Sequence, residues 1–309
     1  MEESLYRTYN SYMQQKFGER VYKVSIDAGF TCPNRDGTKS FGGCIFCDDS
    51  GSSSRTHPQG SSIRDQIIQN ILVRKKRYGA KKFIAYFQSY TNTYGKPSHL
   101  QKLYDEAIQS HPDIIGLSIA TRADCVDEEK IAMIAEFKKK VPYVQIEYGM
   151  QTVHNRTLQK IRRNETHEDF LEALRLTKKY SLANSAHVIL GLPGETKEDQ
   201  MQTAKTLALL QIEGVKIHML IAMKNTLLEQ DYLQGLWEPL TLEDYVSLVC
   251  DFLERLHPEC TIHRLSGNGH PLHTVAPSWV YDKKKEITQK VYEELVRRKS
   301  KQGFLYSCP

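Results

Sequence analysis

Thr31-Cys32-Pro33-Asn34-Arg35-Asp36-Gly37-Thr38-Lys39-Ser40-Phe41-Gly42-Gly43-Cys44-Ile45-Phe46-Cys47 places three of the chain's seven cysteines on one short segment rich in Gly, Asn and Asp. Eleven residues separate Cys32 from Cys44, and two separate Cys44 from Cys47. Three thiolates are too few for a structural zinc, which takes four ligands, usually from two such pairs. An iron–sulfur cubane takes one cysteine per iron, so three cysteines leave one iron open to bind and activate a substrate. Spacing alone leaves three readings: an open cluster, a zinc loop that borrows a fourth ligand such as His57, or three unrelated thiols.

Working outward, the segment follows a strand, Arg20 to Ile26, which a Tyr-rich helix within residues 1–19 precedes. A Gly/Ser-rich stretch from Asp48 to Ser62 leads into a helix over 63–77. From there strand and helix alternate. The strands are Lys82 to Phe87, Ile114 to Ala120, Tyr143 to Met150, Ser185 to Leu190 and Val215 to Ile221. Helices follow near 98–109, 128–140, 154–162, 167–180 and 197–211. The strand Ile114 to Ala120 has a near-continuous apolar character, as parallel strands covered on both faces require. Six such units predict an α/β fold, a partial (βα)6 TIM-type barrel with parallel strands. After Ile221 the pattern becomes mostly helical, near 226–236, 241–256 and 283–301, with one candidate strand from Cys260 to Leu265. The expected division is a core over 1–226 and a C-terminal extension, or cap, over 227–309.

In a barrel the strand C-termini form the catalytic rim. The cysteine loop, Gln88-Ser89, Thr121-Arg122, Gln151-Thr152, Gly191 to Glu195 and Lys224-Asn225-Thr226 should therefore converge on one mouth. Composition is that of a soluble globular protein, with 26% charged residues and a net charge of +5. No apolar run reaches the ~18 residues that span a bilayer, and the N-terminus shows no export signal, so the expectation is a cytoplasmic protein without membrane contact. In that compartment clustered cysteines read as metal ligands or catalysts rather than disulfides. Cys125, Cys250, Cys260 and Cys308 read as buried or terminal thiols. Basic runs such as Arg74-Lys75-Lys76-Arg77, Lys138-Lys139-Lys140, Lys283-Lys284-Lys285 and Arg297-Arg298-Lys299 read first as solvated helix ends. A nucleic-acid footprint is the second reading.

The three-cysteine loop after the first strand and the rim that follows resemble the radical S-adenosylmethionine (SAM) enzymes over roughly residues 20 to 226. Most members space the cysteines C-x3-C-x2-C, from which the eleven-residue first gap departs. Long first gaps are typical of a subgroup similar to the Elongator catalytic subunit and the oxygen-independent coproporphyrinogen oxidases. Glu147-Tyr148-Gly149-Met150-Gln151-Thr152 and His187-Val188-Ile189-Leu190-Gly191-Leu192-Pro193-Gly194-Glu195-Thr196 resemble that subgroup's segments after its fourth and fifth strands. Tyr86-Phe87-Gln88-Ser89-Tyr90-Thr91-Asn92-Thr93 and His263-Arg264-Leu265-Ser266-Gly267 resemble the YtqA/YhcC-like (MnmL-like) bacterial subfamily.

The resemblance implies two cofactors, a [4Fe-4S] cluster on Cys32, Cys44 and Cys47 and S-adenosyl-L-methionine on its open iron. Phe46 would shield the cluster or pack near adenine, or simply fill core. Gln88 and Ser89 stand where the family binds the methionine amino group, and their oxygens can accept from an ammonium. Arg122 and Arg162 are candidates for a bidentate contact to the methionine carboxylate, or else ion-pair partners. Glu147 reads as a ribose or substrate contact, or as a buried paired carboxylate. Gln151 and Thr152 are candidates for ribose or carboxylate contacts. Gly191 and Gly194 would let backbone approach adenine, or form an ordinary turn.

Tyr86, Tyr90 and Tyr94 read as an aromatic cluster near the mouth, able to stack on a base or fill core. His187 and His218 read as core histidines or substrate contacts. His263, Arg264, His270 and His273 fall in a loop-rich segment suited to substrate specificity. Asn34, Arg35, Asp36 and Lys39 in the long gap shape the loop, meet substrate or face water.

The expected protein is a radical SAM enzyme that forms a 5′-deoxyadenosyl radical. Its expected partners are tRNA as substrate, at the C5 side chain of the wobble uridine (carboxymethylaminomethyl to aminomethyl), and an electron donor such as flavodoxin or ferredoxin. The alternatives are radical chemistry on a small metabolite or porphyrin, and a non-catalytic, zinc-stabilised nucleic-acid-binding protein.

Overall fold

The computed structural model describes residues 4–49, 51, 60–267, 269 and 271–307. His57, Asn268, His270 and Cys308 lie outside the described residues. After helix α1 (Tyr9–Phe17), strand β1 (Val21–Ile26) starts a run of strand–helix units. They are α2 (Ile63–Tyr78), β2 (Lys82–Phe87), α3 (Pro97–Gln109), β3 (Ile114–Thr121), α4 (Glu128–Ala135), β4 (Tyr143–Gln151), α5 (Asn155–Lys160), α6 (His167–Lys179), β5 (Ala183–Leu190), α7 (Lys197–Leu209) and β6 (Gly214–Met219). The chain continues with β7 (Ala222–Met223), α8 (Leu227–Leu233), α9 (Leu242–Arg255), β8 (Thr261–Arg264) and β9 (Thr274–Ala276).

Seven strands make one sheet in the order β1-β2-β3-β4-β5-β6-β8, and every pairing in it is parallel. That is one strand more than the six that alternation suggests. β8 lies in a stretch read as a candidate strand, and it extends the β6 edge. The expected strand to Ile221 ends at Met219, and β7 pairs instead with β9 in a short antiparallel ribbon.

One face of each strand packs on the outer helices. Val24, Ile26, Phe83, Phe87, Leu117, Ile119, Ile146 and Val188 are all buried there against residues such as Ile67, Leu100, Ile131 and Phe170. The other face lines the lumen. At the N-terminal ends of the strands that lumen is apolar: Val21, Ile84 and Tyr143 pack with Tyr9 and Met13 of α1. The helix therefore closes the floor. It also covers the seam of the incomplete barrel, where Tyr9 stacks near His263 of β8 (4.2 Å between rings) and under the Lys23 ammonium of β1 (4.6 Å). Arg7 adds a main-chain bond to β8, its carbonyl accepting from Ile262 N at 2.8 Å.

Two capping boxes fix where helices leave the rim. Thr166 with Asp169 starts α6, and Thr196 with Asp199 starts α7. The basic runs are spent locally. Lys75 pairs with Asp113, Lys140 with Asp105, and Arg297 and Arg298 with Glu294, so part of each of these three runs is paired within the chain.

Candidate active site

The cysteine loop is built as a clasp over the rim. Asn34 is fully buried. Its Nδ2 donates to the Arg162 carbonyl (2.7 Å) and its Oδ1 accepts from Asn164 (2.6 Å). The Arg35 guanidinium donates to the carbonyls of Gly42 (3.3 Å), Cys47 (3.2 Å) and Asp48 (3.1 Å) and pairs with Asp49. Lys39 pairs with Asp124, and Thr38 with the Tyr94 hydroxyl. Asp36 bridges to Phe41, whose ring is 79% exposed. The eleven-residue gap thus folds back on itself and onto the ends of β2 and β3. Ile45 N donates to the Ile161 carbonyl, and its own carbonyl accepts from Leu228 N. Ile45 and half-buried Phe46 join an apolar cluster with Leu158, Ile161, Leu192, Leu228 and Trp237. The cysteine loop, the ends of β4 and β5, and the C-terminal segment therefore meet at one mouth, as the rim motifs predict.

Cys44 is buried and accepts two N–H···S contacts, from Asn34 Nδ2 (3.6 Å) and Arg163 Nη1 (3.8 Å). Burial and then the Cys44 thiol push Cys47 up to about 12, against the opposing pull of Arg35, and Cys32 adds to the push. Cys47 thus lies within electrostatic reach of both other cysteines of the loop. Among the described residues no group of three His, Cys, Asp or Glu side chains is spaced to hold a metal ion. The donor set fits an iron–sulfur cluster: three thiols, one of them buried, with N–H donors on sulfur, the outer-shell contact that tunes such ligands.

Arg163, which sequence reasoning passed over, is the arginine that donates to the Cys44 sulfur. Burial works against its charge, but Glu165 and Cys44 outweigh burial and raise its pKa. It pairs with Glu165 (2.7 Å) and donates to the Gly149 carbonyl (2.8 Å). Arg162, the candidate carboxylate contact, is exposed in a left-handed conformation (φ 53°). Arg122 is buried, but its bidentate edge is taken by Asp124 (2.8 Å from both Nε and Nη2). Its Nη1 is buried without a hydrogen-bond partner among the described residues.

Gln88 accepts from Ser25 at 3.0 Å, and Ser89 is buried. Gln151 is buried with φ 66°, and Thr152 donates to Glu195 at 2.5 Å, tying the ends of β4 and β5. Gly191 and Gly194 take φ +84° and +83°, which L side chains rarely adopt. The Gly191 carbonyl accepts from Trp237 Nε1 at 3.3 Å. The three tyrosines do not cluster: Tyr86 lies in the lumen, while Tyr90 and Tyr94 brace the cysteine loop through Asp49 and Thr38.

Below the loop the lumen is polar. Glu147 is 0% exposed and lies two residues before Gly149 on β4, ~7 Å along the strand. It pairs with Lys23, with Lys216 (2.6 Å) and with His187 (2.8 Å), and accepts from Ser118 Oγ (2.7 Å). Lys216 also donates to the Tyr86 hydroxyl (2.9 Å) and Lys23 to Gln145 (3.0 Å). Burial alone would raise the Glu147 carboxyl, but Lys216, Lys23 and His187 outweigh it and hold it well below the usual range. Burial lowers Lys216 to about 7, more than Glu147 restores, and lowers His187 to about 4. His218 lies 5.6 Å from the His187 ring. His263 and Arg264 lie on β8 rather than in a loop, and the His273 carbonyl accepts from Lys224 N. The sequence flagged Glu147, His187 and His218 but missed Lys23 and Lys216.

Known proteins agree with this architecture. The radical SAM superfamily model matches residues 32–207, and the Radical_SAM C-terminal domain matches residues 212–297. The uncharacterized protein YtqA of Bacillus subtilis is 38% identical over 305 residues, 97% of this chain and 92% of YtqA. The tRNA uridine(34) acetyltransferase of Methanocaldococcus jannaschii is 27% identical over 138 residues, 44% of this chain and 25% of that enzyme. Among solved structures, archaeal Elp3 from Methanocaldococcus infernus superposes with a TM-score of 0.66 at 17% identity, over 91% of this chain and 64% of that one. With its cysteine loop clasped over a seven-stranded parallel half-barrel, the chain belongs to the radical SAM superfamily, whose cofactors are a [4Fe-4S] cluster and S-adenosylmethionine.

Proposed function

We propose that this radical SAM enzyme modifies the C5 side chain of a tRNA wobble uridine, shortening carboxymethylaminomethyl to aminomethyl. Cys32, Cys44 and Cys47 would hold the cluster. Together the cluster and S-adenosylmethionine would supply, when bound, a 5′-deoxyadenosyl radical that takes a hydrogen atom from the substrate; with S-adenosylmethionine as the overall two-electron oxidant and water as co-reactant, the carboxymethyl carbons leave as glyoxylate and the amine remains.

The chain's own residues do the rest. Asn34 and Arg163 hold Cys44 and donate to its sulfur. Gln88 and Ser89 accept from the methionine ammonium. Arg122 offers the carboxylate its one unpartnered nitrogen, and exposed Arg162 reaches only the outer edge of the mouth. Gln151 and Thr152 face the ribose. Gly191 and Gly194 let backbone lie against adenine, and the apolar cluster around Phe46 and Trp237 keeps water from the mouth. Glu147 fixes the lysines of the lumen beneath. Residues 227–309 act as a cap on the 1–226 core, and an acidic electron carrier such as flavodoxin or ferredoxin supplies the electron.

The observation that carries the reading is that Cys44 is tied through Arg163 to the end of β4, the strand that also carries the buried Glu147 and its lysines. The choice of uridine is supported by the partial similarity to a tRNA uridine(34) enzyme and by the Elp3-like fold. Nucleoside analysis of tRNA from cells lacking this protein tests it. The expected result is accumulation of the carboxymethylaminomethyl form and loss of aminomethyl. An unchanged profile overturns the tRNA assignment.

A further inference from the structure

Counting charges in the lumen leaves a surplus. Lys23 and Lys216 both pair with one carboxylate, Glu147. Arg264 joins them from β8. A register shift at Val215/Lys216 sets Arg264, rather than His263, opposite Lys216. Its charge is felt by Lys23, Lys216, Tyr86 and His218. Three basic groups therefore face one carboxylate, and even with burial lowering Lys216 to about 7 the positive side is in excess. The other titratable groups of this layer, Tyr86, His187, His218 and His263, bring no second negative charge. His187, His218 and His263 are held neutral, burial being the first cause for each.

Donors are in surplus too. Glu147 is saturated by four partners. Lys216 has three N–H donors and commits two, to Glu147 and Tyr86. The half-buried Arg264 guanidinium has no hydrogen bond or ion pair among the described residues. Nearby, Ser185 Oγ and both ring nitrogens of His263 are buried with no partner among the described residues. Buried polar atoms ordinarily find partners, and a cation surplus in a low-dielectric lumen favours an anion.

We propose that Arg264 and Lys216 form an oxyanion site in the lumen, which takes the carboxylate of the substrate's side chain. Lys23 and Glu147 position Lys216 for it. The assignment of that oxyanion to a carboxymethylaminomethyl group rests on the function proposed above, whereas the site itself does not.

The test pairs an enzyme change with a ligand change, on the anaerobically reconstituted holoenzyme. One anticodon stem–loop carries 5-carboxymethylaminomethyluridine, and its twin carries the corresponding carboxamide. Wild type should bind the carboxylate about ten- to a hundredfold tighter, the range for a charge-assisted hydrogen bond. Arg264→Gln should bind both alike, and Arg264→Lys should keep the preference, which separates the site from a folding defect. Equal binding by wild type, or a preference that survives Arg264→Gln, overturns the proposal.

If neither stem–loop binds, the uridine reading fails, and thermal denaturation decides the site alone. N-methylglycine at millimolar concentration, but not its amide, should then raise the wild-type Tm and leave that of Arg264→Gln unmoved. A rise with inorganic phosphate instead overturns the carboxylate assignment, and no rise with either overturns the site.

Discussion

The two ends of the lumen are built from the same seven strands and follow opposite rules. At the floor, inward positions are Val21, Ile84 and Tyr143, sealed by Tyr9 and Met13. One layer up, inward positions are Lys23, Tyr86, Ser118, Glu147, His187 and Lys216, linked by hydrogen bonds. The floor stabilises the barrel by removing apolar area from water. The upper layer spends stability, since desolvating several charges is expensive even when they are paired. A fold keeps such a layer where it meets a ligand. The difference teaches that the barrel is anchored at the strand N-termini and carries its buried polar groups further up the strands, toward the end where parallel barrels hold their sites.

Breaking each layer should show this. Glu147→Ala leaves Lys23 and Lys216 buried without their carboxylate. It should cost about 3–5 kcal/mol in a denaturant titration, and Lys216→Met in the same chain should recover part of that loss. A loss below about 1 kcal/mol would mean that the charges are hydrated. Met13→Ala opens a cavity in the floor, where the side chain is 0% exposed, and should cost about 2–4 kcal/mol. Its SAM cleavage should persist at temperatures where the variant stays folded, because the floor takes no part in the chemistry.

Per pH unit the smallest effect is in pH dependence, at most about 1.4 kcal/mol for each group. With Lys216 near 7 when folded against 10.5 for a free lysine, the unfolded chain binds the extra proton between those values, so stability should rise with pH across that window. With His187 near 4 against 6.5, stability should fall as pH drops through that range. Lys216→Met should flatten the upper window and also narrow the acid limb, because Lys216 is among the groups that hold His187 down. An upper limb that survives in the variant would assign it to other groups.

Much of the scaffold was legible. Six strands, the outer helices and the convergence of the rim follow from alternation and turn chemistry, and the three cysteines announce themselves by spacing. The lumen lysines did not. A lysine at alternate positions of a strand, such as Lys23 in Val21-Tyr22-Lys23-Val24, reads as the solvent face of a sheet. Only closure of the barrel turns that face inward. Arg163 was hidden for a local reason: Arg162 and Arg163 are adjacent, and the left-handed turn at Arg162 decides which one is buried. β8 was a candidate strand with no pairing partner in view, because its register against β6 depends on α1 and the seam. Asn34 and Arg35 gave no signal beyond their place in the long gap, which proves to be the clasp itself.

The most direct measurement is S-adenosylmethionine cleavage by the anaerobically reconstituted protein under reduction, beside Cys44→Ala. The account predicts a brown wild-type protein with about four irons that releases 5′-deoxyadenosine and methionine, and a Cys44→Ala variant that releases neither. A colourless protein with about one zinc and no cleavage, or a Cys44→Ala variant that cleaves as wild type does, would contradict it.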